Sequence, residues 1–172
     1  AELLDQSVAK FPNNPQVFYR RAMANLNYPQ LRTQVMQDLD QAIRLQPEHW
    51  EARQARAVLH EEAGNVQASI ADLREAVKLN PMIDELRVSL LRYLLSIGDR
   101  DTDAVEVVEG VIKRRPGDLA LLVNTGDIFR EAGRIDRAED YYERAYKQSA
   151  QLFIVLRYLD LLQTRKPPAV TK

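Results

Sequence analysis

The sequence predicts an all-α chain built as a row of helix pairs, and three observations carry that prediction. Apolar residues recur at steps of three and four, as in Leu39, Ala42 and Ile43 or in Leu73, Ala76 and Val77, which is the helical period. A sustained alternation rich in Val, Ile and Thr, the signature of a half-buried strand, is not found. Four prolines, Pro12, Pro47, Pro81 and Pro116, stand 35, 34 and 35 residues apart, so the helical pattern repeats at a fixed interval.

The interval contains a second punctuation mark. Seventeen residues after each proline comes a breaker: Pro29, Gly64, Gly98 and Gly133. A small or β-branched residue follows at Val35, Ser69, Ala104 and Ala138, and seven residues later stand Ala42, Ala76, Val111 and Ala145. Between these two series lie Leu39, Leu73, Val108 and Tyr142. The physical reading is two helices per repeat. Helix A runs from just after the proline to the breaker, and helix B from the breaker to the next proline. Proline has no amide hydrogen and cannot continue helix B. The small residues let helices A and B approach closely.

Taken in order, residues 1–14 contain a helix B without its helix A. Residues 15–48 form the first full repeat, in which Asn14 is a good N-cap before Pro15 at the first helical position. Residues 49–83 form the second repeat and 84–118 the third. Residues 119–150 form the fourth, with Asp118 placed to cap the helix starting at Leu119. Residues 151–163, QLFIVLRYLDLLQ, look like a further helix A. Only Arg157, Asp160 and Gln163 interrupt its apolar residues, leaving one narrow polar stripe. Two readings stay open for that helix: it packs on the fourth repeat with some apolar surface wet, or more chain or a second subunit covers it. The tail 164–172, with Pro-Pro and no apolar period, reads as a linker or disordered end.

These repeats resemble the tetratricopeptide repeat, a 34-residue helix–turn–helix unit. In residues 119–152, Leu122, Thr125, Gly126 and Phe129 take the slots of the family's Trp, Leu, Gly and Tyr. Ala138, Tyr142 and Ala145 take its Ala, Phe and Ala slots, and Ala150 replaces the closing proline. The second repeat departs further, with Arg53 where an aromatic is common and Ser69 in place of Ala. The resemblance covers residues 1 to about 163 and implies a right-handed α-solenoid of about ten helices.

Composition narrows the function classes. The chain has 172 residues, with 45% apolar and 28% charged side chains, a globular balance. Its 24 basic and 25 acidic residues leave a formal charge of −1, which gives no field to gather nucleic acid or acidic lipid. No apolar run approaches the roughly 20 residues that span a bilayer. Cysteine is absent, so disulfides and thiolate metal sites are excluded while the compartment stays open. No secretory signal opens the sequence, and a first residue other than Met fits a fragment or a processed form.

Catalytic and metal patterns fail on inspection. His49 and His60 are the only histidines, and neither has an acidic or thiol partner at metal spacing. Glycine-rich phosphate loops and G-x-S-x-G are missing. The stretch GDRDTDAVEVVEG, residues 98–110, begins like a calcium loop. It carries Ala104 where glycine is needed at the sixth position and Gly110 where a bidentate Glu is needed at the twelfth. Gly98 is instead the mid-repeat breaker, and Asp99, Asp101 and Asp103 belong to the turn and the acidic entry to helix B. No cofactor, metal or catalytic residue is expected, and the protein is not expected to be an enzyme.

One charge pattern is repeated. Arg21 and Asp38 stand in the same places as Arg56 and Asp72, whereas the third and fourth repeats hold Leu90 with Val107 and Thr125 with Tyr141. Charges appear together or vanish together, which predicts a pair between helices A and B of one repeat.

The resemblance also implies where a partner would bind. Family members commonly hold an extended peptide or a helix on the concave face, lined mainly by helix A. Carried over, that face offers Gln16, Tyr19, Arg20 and Met23; Glu51, Gln54, Ala55, Val58 and Glu61; Glu85, Val88, Ser89 and Arg92; and Ala120, Asn124, Asp127 and Arg130. The expected contact residues are Tyr19, Arg20, Met23, Gln54, Arg92, Asn124, Asp127 and Arg130. The subset of the family that grips chaperone C-termini uses a lysine and asparagines on the first two helices A and a lysine–arginine pair on the third, where this chain has Tyr19, Met23, Val58, Glu85 and Ser89, so that specificity is not expected. The expected partner is a protein or peptide, with no nucleic acid and no membrane. Two alternatives remain at this stage. One is a self-assembly scaffold or homodimer joined through Phe153, Leu156 and Tyr158 of the last helix. The other is a regulatory arm of a larger enzyme.

Overall fold

The computed structural model describes residues 2–98 and 101–165. These form ten α-helices and a short 3-10 helix: α1 (Glu2–Lys10), α2 (Pro15–Asn25), the 3-10 turn Pro29–Leu31, α3 (Arg32–Leu45), α4 (Trp50–Glu62), α5 (Val66–Leu79), α6 (Asp84–Ser96), α7 (Asp101–Ile112), α8 (Leu119–Glu131), α9 (Ile135–Gln148) and α10 (Leu152–Arg165). No strand occurs among the described residues. Asp99 and residues 166–172, part of the acidic turn and most of the tail, lie outside the described residues. α10 runs two residues beyond the expected end of the last helix.

The punctuation acts as its chemistry requires. Asn14 accepts a hydrogen bond from the Gln16 amide at 2.9 Å with Pro15 at the first helical position, and Asp118 accepts one from the Leu121 amide at 2.9 Å. Gly64, Gly98 and Gly133 all have positive φ (76°, 91° and 74°), the left-handed conformation that stops a helix. Pro29 behaves differently from these glycines. α2 stops at Asn25, and Pro29 opens the 3-10 turn that leads into α3. Proline cannot supply the left-handed exit, but its fixed φ suits the first position of a new helical turn.

The chain divides into two compact units, residues 1–93 and 94–172. In the first, α2 packs with α3 and α4 with α5, and α3 bridges the two pairs. Its core includes Phe18, Ala22, Val35, Leu39, Ala52 and Leu59. In the second, α8 packs with α9, and α10 lies against α9. Phe129, Tyr141, Tyr142, Ile154 and Leu161 are among its buried side chains. The small positions Val35, Ser69, Ala104 and Ala138, and Ala42, Ala76, Val111 and Ala145, are all without exposed surface. At Gly126 the approach is closest: a Cβ there would stand 2.7 Å from Cε1 of Tyr142.

The repeated charges pair as their spacing predicts. Arg21 donates from Nε and Nη2 to the two Asp38 oxygens at 2.8 and 2.7 Å, and Arg56 does the same to Asp72 at 2.7 and 2.6 Å. Each guanidinium also uses Nη1. Arg21 reaches Asp5 of α1 at 2.8 Å, and Arg56 reaches Asp40 of α3 at 2.7 Å. One arginine therefore ties three helices, α1–α2–α3 or α3–α4–α5. These bonds hold the Arg21 and Arg56 pKa values above the usual arginine value despite partial burial.

The second unit solves the corresponding joint with aromatic rings. Tyr141 occupies the Asp slot, stacks on Phe129 with centroids 5.3 Å apart, and lies under the Arg144 guanidinium at 5.1 Å. Arg144 in turn pairs with Glu109 of α7 at 2.5 Å. Glu109 stands one repeat on from the slot shared by Asp5, Asp40 and Arg74.

Candidate functional site

The helix-A residues of the first unit form a mixed surface. Gln16, Arg20, Met23, Val58, Glu61, Glu85 and Arg92 are exposed, and Tyr19, Glu51, Gln54, Val88 and Ser89 are half-buried. Ala55 departs from the expected stripe: it is buried in the core with Ala52 and Leu59. A methyl side chain reaches no further than the helix–helix seam, so that place in the row belongs to packing.

His49 organises this surface, a role its sequence position only half declares. It stands in the N-cap slot that Asn14 and Asp118 fill elsewhere, and only 2% of it is exposed. Its Nδ1 faces the Ala52 amide at 3.4 Å and a Glu51 carboxylate oxygen at 3.1 Å, while Nε2 lies 3.3 Å from the Gln16 side-chain nitrogen. Its ring tilts against Tyr19, centroids 4.7 Å apart. His49 thus joins the start of α4 to the face of α2 and fixes the Tyr19 ring. Burial is the main cause that raises the Tyr19 pKa above its ordinary value, followed by the Glu51 charge. The phenol is therefore a neutral hydrogen-bonding group at physiological pH.

In the second unit Asn124 is exposed, but Asp127 and Arg130 are committed internally. Asp127 accepts from the Tyr142 hydroxyl at 2.6 Å and lies 3.6 Å from Arg157 of α10. Arg130 donates to Asp160 of α10 at 2.6 Å. These two residues join α8 to α9 and α10. Burial and the Asp127 bond together push the Tyr142 hydroxyl well above the usual phenol range.

On α10, Ile154 and Leu161 are buried, whereas Leu152, Phe153, Leu156 and Leu159 are exposed by 73, 44, 57 and 48%. Tyr158 is half-buried with its ring tilted against Tyr146 at 6.2 Å. No other described helix covers this apolar face. Among the described residues no group of three or more His, Cys, Asp or Glu side chains is arranged to hold a metal ion. No described helix is long and apolar enough to cross a membrane.

Antiparallel helix pairs, a left-handed glycine in the middle of three repeats and a common set of unexposed small residues define a helical-repeat protein. The family model for the tetratricopeptide repeat matches residues 37–81 and 90–152, more than half of the chain, and the chain belongs to that family. Solved structures agree in fold. The chain is similar to MamA with a TM-score of 0.68 at 21% identity, covering 86% of this chain and 79% of that one. It is similar to YrrB, described as a TPR protein with an unusual peptide-binding site, with a TM-score of 0.68 at 15% identity over 91% of this chain and 80% of that one. It is similar to a thermophilic TPR protein from Thermus thermophilus with a TM-score of 0.59 at 17% identity over 94% of this chain and 88% of that one. No curated protein sequence is significantly similar to this chain. The family assignment supports a general role in protein–protein interaction, and proteins of this family are typically non-catalytic scaffolds.

Proposed function

We propose that the chain is a non-catalytic recognition module that binds a peptide or a partner protein on its helix-A faces. The observation that carries this reading is the surface of the first unit. Exposed Arg20, Met23 and Arg92 stand in the helix-A row with the half-buried Tyr19 and Gln54. Such a surface offers an aromatic edge, a flexible thioether, amide hydrogen bonds and two cations, the combination peptide recognition uses. Tyr19 is held in place by His49 before any partner arrives, which lowers the ordering cost of binding. In the second unit Asn124 is the proposed contact. Asp127 and Arg130 contribute by holding the α8 face through Tyr142 and Asp160. The description of YrrB as having a peptide-binding site adds a precedent for the fold.

The experiment is an affinity capture from host lysate with wild type beside the double variant Arg20→Glu/Arg92→Glu, read by mass spectrometry. Both side chains are exposed, so the variant should keep its fold by circular dichroism. A partner enriched by wild type and lost by the variant supports the reading. An identical set of captured proteins argues against these faces.

A second reading is favoured by a separate observation, the uncovered apolar face of α10. A stripe of four exposed large apolar side chains on one helix suits self-association through Phe153, Leu156 and Tyr158. Light scattering across tens of micromolar tests it: a constant monomer mass removes this reading.

A further inference from the structure

His49 lies buried between the start of α4 and the face of α2, and the roles of its two ring nitrogens depend on where its protons are. Nδ1 has a Glu51 carboxylate oxygen at 3.1 Å, which accepts, and the Ala52 amide at 3.4 Å, which donates. One nitrogen cannot serve both. Nε2 has the Gln16 side-chain nitrogen at 3.3 Å, and an amide nitrogen donates. A neutral ring with its proton on Nδ1 satisfies the two shorter contacts together: Nδ1–H donates to Glu51, and Nε2 accepts from Gln16. The Ala52 amide, at the longest of the three distances, is the contact this state gives up.

A second proton can only go to Nε2, and an Nε2–H facing an amide nitrogen sets donor against donor. Gln16 carries the answer in its own side chain, because flipping the amide brings Oε1 to the ring and turns the NH2 group away from it. The backbone need not move: the Gln16 main-chain amide stays bonded to Asn14 at 2.9 Å. Several charged or titratable groups surround the ring. From α2 come Tyr19, whose ring is 4.7 Å away, and the exposed Arg20 beside it. From α4 come Glu51 and Arg53, the latter donating to the Pro47 carbonyl, and the α3–α4 loop adds the exposed Glu48. Arg20 and Arg53 oppose a proton on the ring, and Glu48 and Glu51 favour it. Glu51 is the one of these charges at a ring nitrogen, placed to balance an imidazolium.

We propose that His49 is a proton switch for the helix-A surface: its protonation flips the exposed Gln16 amide, so that the group offered to a partner changes from a carbonyl acceptor to an NH2 donor. With the ring neutral, the surface accepts at this point and suits a partner's N–H or hydroxyl. With the ring protonated, it donates and carries one more positive charge beneath it, which suits a carbonyl or carboxylate. Histidine ordinarily changes charge between about pH 5 and 8. The use of the switch rests on the helix-A row being the recognition surface, whereas the switch itself belongs to the free chain and is measured there, so the two readings fail separately.

The test is a titration of the 15N-labelled full chain from about pH 8 to about pH 5, read at the histidine ring nitrogens and the glutamine side-chain amides. His49 and His60 are the two histidines, and His60→Gln assigns the His49 signals. At the upper end His49 should carry its proton on Nδ1, with Nε2 bare. Lowering the pH should protonate Nε2, and the Gln16 NH2 and Tyr19 ring signals should shift with the same midpoint as the ring. His49→Asn keeps a capping residue in the slot and removes the titration, so the Gln16 response should vanish while the backbone spectrum stays in place. The wild-type signals decide the proposal even where that variant fails to fold. A neutral ring protonated on Nε2, a His49 that stays neutral until the chain unfolds, or Gln16 signals that do not follow the ring would each overturn it. A Gln16 response that persists in folded His49→Asn would assign the change to another group and overturn it as well.

Discussion

Replacing Arg56 by leucine tests whether the three-helix joint is held by charge or only tolerates it. The Asp72 side chain is 6% exposed and receives two bonds from Arg56, at 2.7 and 2.6 Å. Removing one partner of a buried ion pair typically costs about 3–5 kcal/mol, because the remaining charge stays desolvated. Here two other side chains approach the carboxylate: the Arg53 guanidinium, with Nη1 at 3.6 Å from Asp72, and the His60 ring, with Nε2 at 3.9 Å. Their presence brings the expected loss for Arg56→Leu down to about 2–4 kcal/mol. The third repeat supplies the control, because Leu90 and Val107 occupy these two places there. The double variant Arg56→Leu/Asp72→Val should fall within about 1 kcal/mol of wild type, since an apolar pair replaces a buried ion pair at little net cost. Urea unfolding followed by Trp50 fluorescence is the assay, because the single tryptophan opens the same helix. A single variant that loses less than about 1 kcal/mol, or a double variant as unstable as Asp72→Val alone, would refute the reasoning.

Four further outcomes follow from the same geometry. Gly126→Ala should destabilise although alanine favours helix by about 1 kcal/mol, because the new Cβ meets the buried Tyr142 ring at 2.7 Å. Gly110→Ala, in α7 with nothing within 4 Å of the new Cβ, should instead stabilise by about 0.5–1 kcal/mol; opposite signs in thermal melts check the pair. Glu109 is held below the ordinary carboxylate pKa by Arg144, so its stabilising effect is present above the unfolded-state pKa and lost as pH falls through the folded one. Glu109→Gln should therefore flatten the acid limb of the stability profile. Tyr93 is raised to about 12 by burial and by Glu61, so its contribution is full below the unfolded phenol pKa near 10 and lost as pH rises through the folded value. Phenolate absorbance should show one fewer late-titrating group in Tyr93→Phe.

Much of the fold was legible because punctuation is local chemistry. Asn14 before Pro15, Asp118 before Leu119 and the three left-handed glycines state their roles within a few residues. The Arg21–Asp38 and Arg56–Asp72 pairs were legible for another reason: the same two slots change together across four repeats. What escaped was reach between helices. Asp5 and Asp40 complete the arginine clamps from the preceding helix B, a neighbour that periodicity places but whose side-chain direction it does not give. Asp127 and Arg130 carry the residue types of a binding surface, yet their carboxylate and guanidinium are taken up by Tyr142 and Asp160. His49 could have been found by its slot, since histidine there occupies the place of two good caps. Its tilted ring contact with Tyr19 depends on how α2 and α4 lie together.

The two solutions to one joint explain why so degenerate a sequence keeps one architecture. The slot requires that helices A and B of a repeat and the preceding helix B be tied at one point, and it is indifferent to how. In the first unit a guanidinium forks between two carboxylates, and the apolar work is left to small residues such as Ala22 and Ala57 beside it. In the fourth repeat a tyrosine fills the acid's place, so the volume must come from somewhere. Phe129 accommodates Tyr141 by stacking on it and the charge moves outward to Arg144 and Glu109, while Gly126 makes room for the adjacent ring of Tyr142. Each choice constrains its neighbours in three dimensions. A substitution is therefore tolerated as a set and penalised alone, which is the pattern the paired slots already display in the sequence.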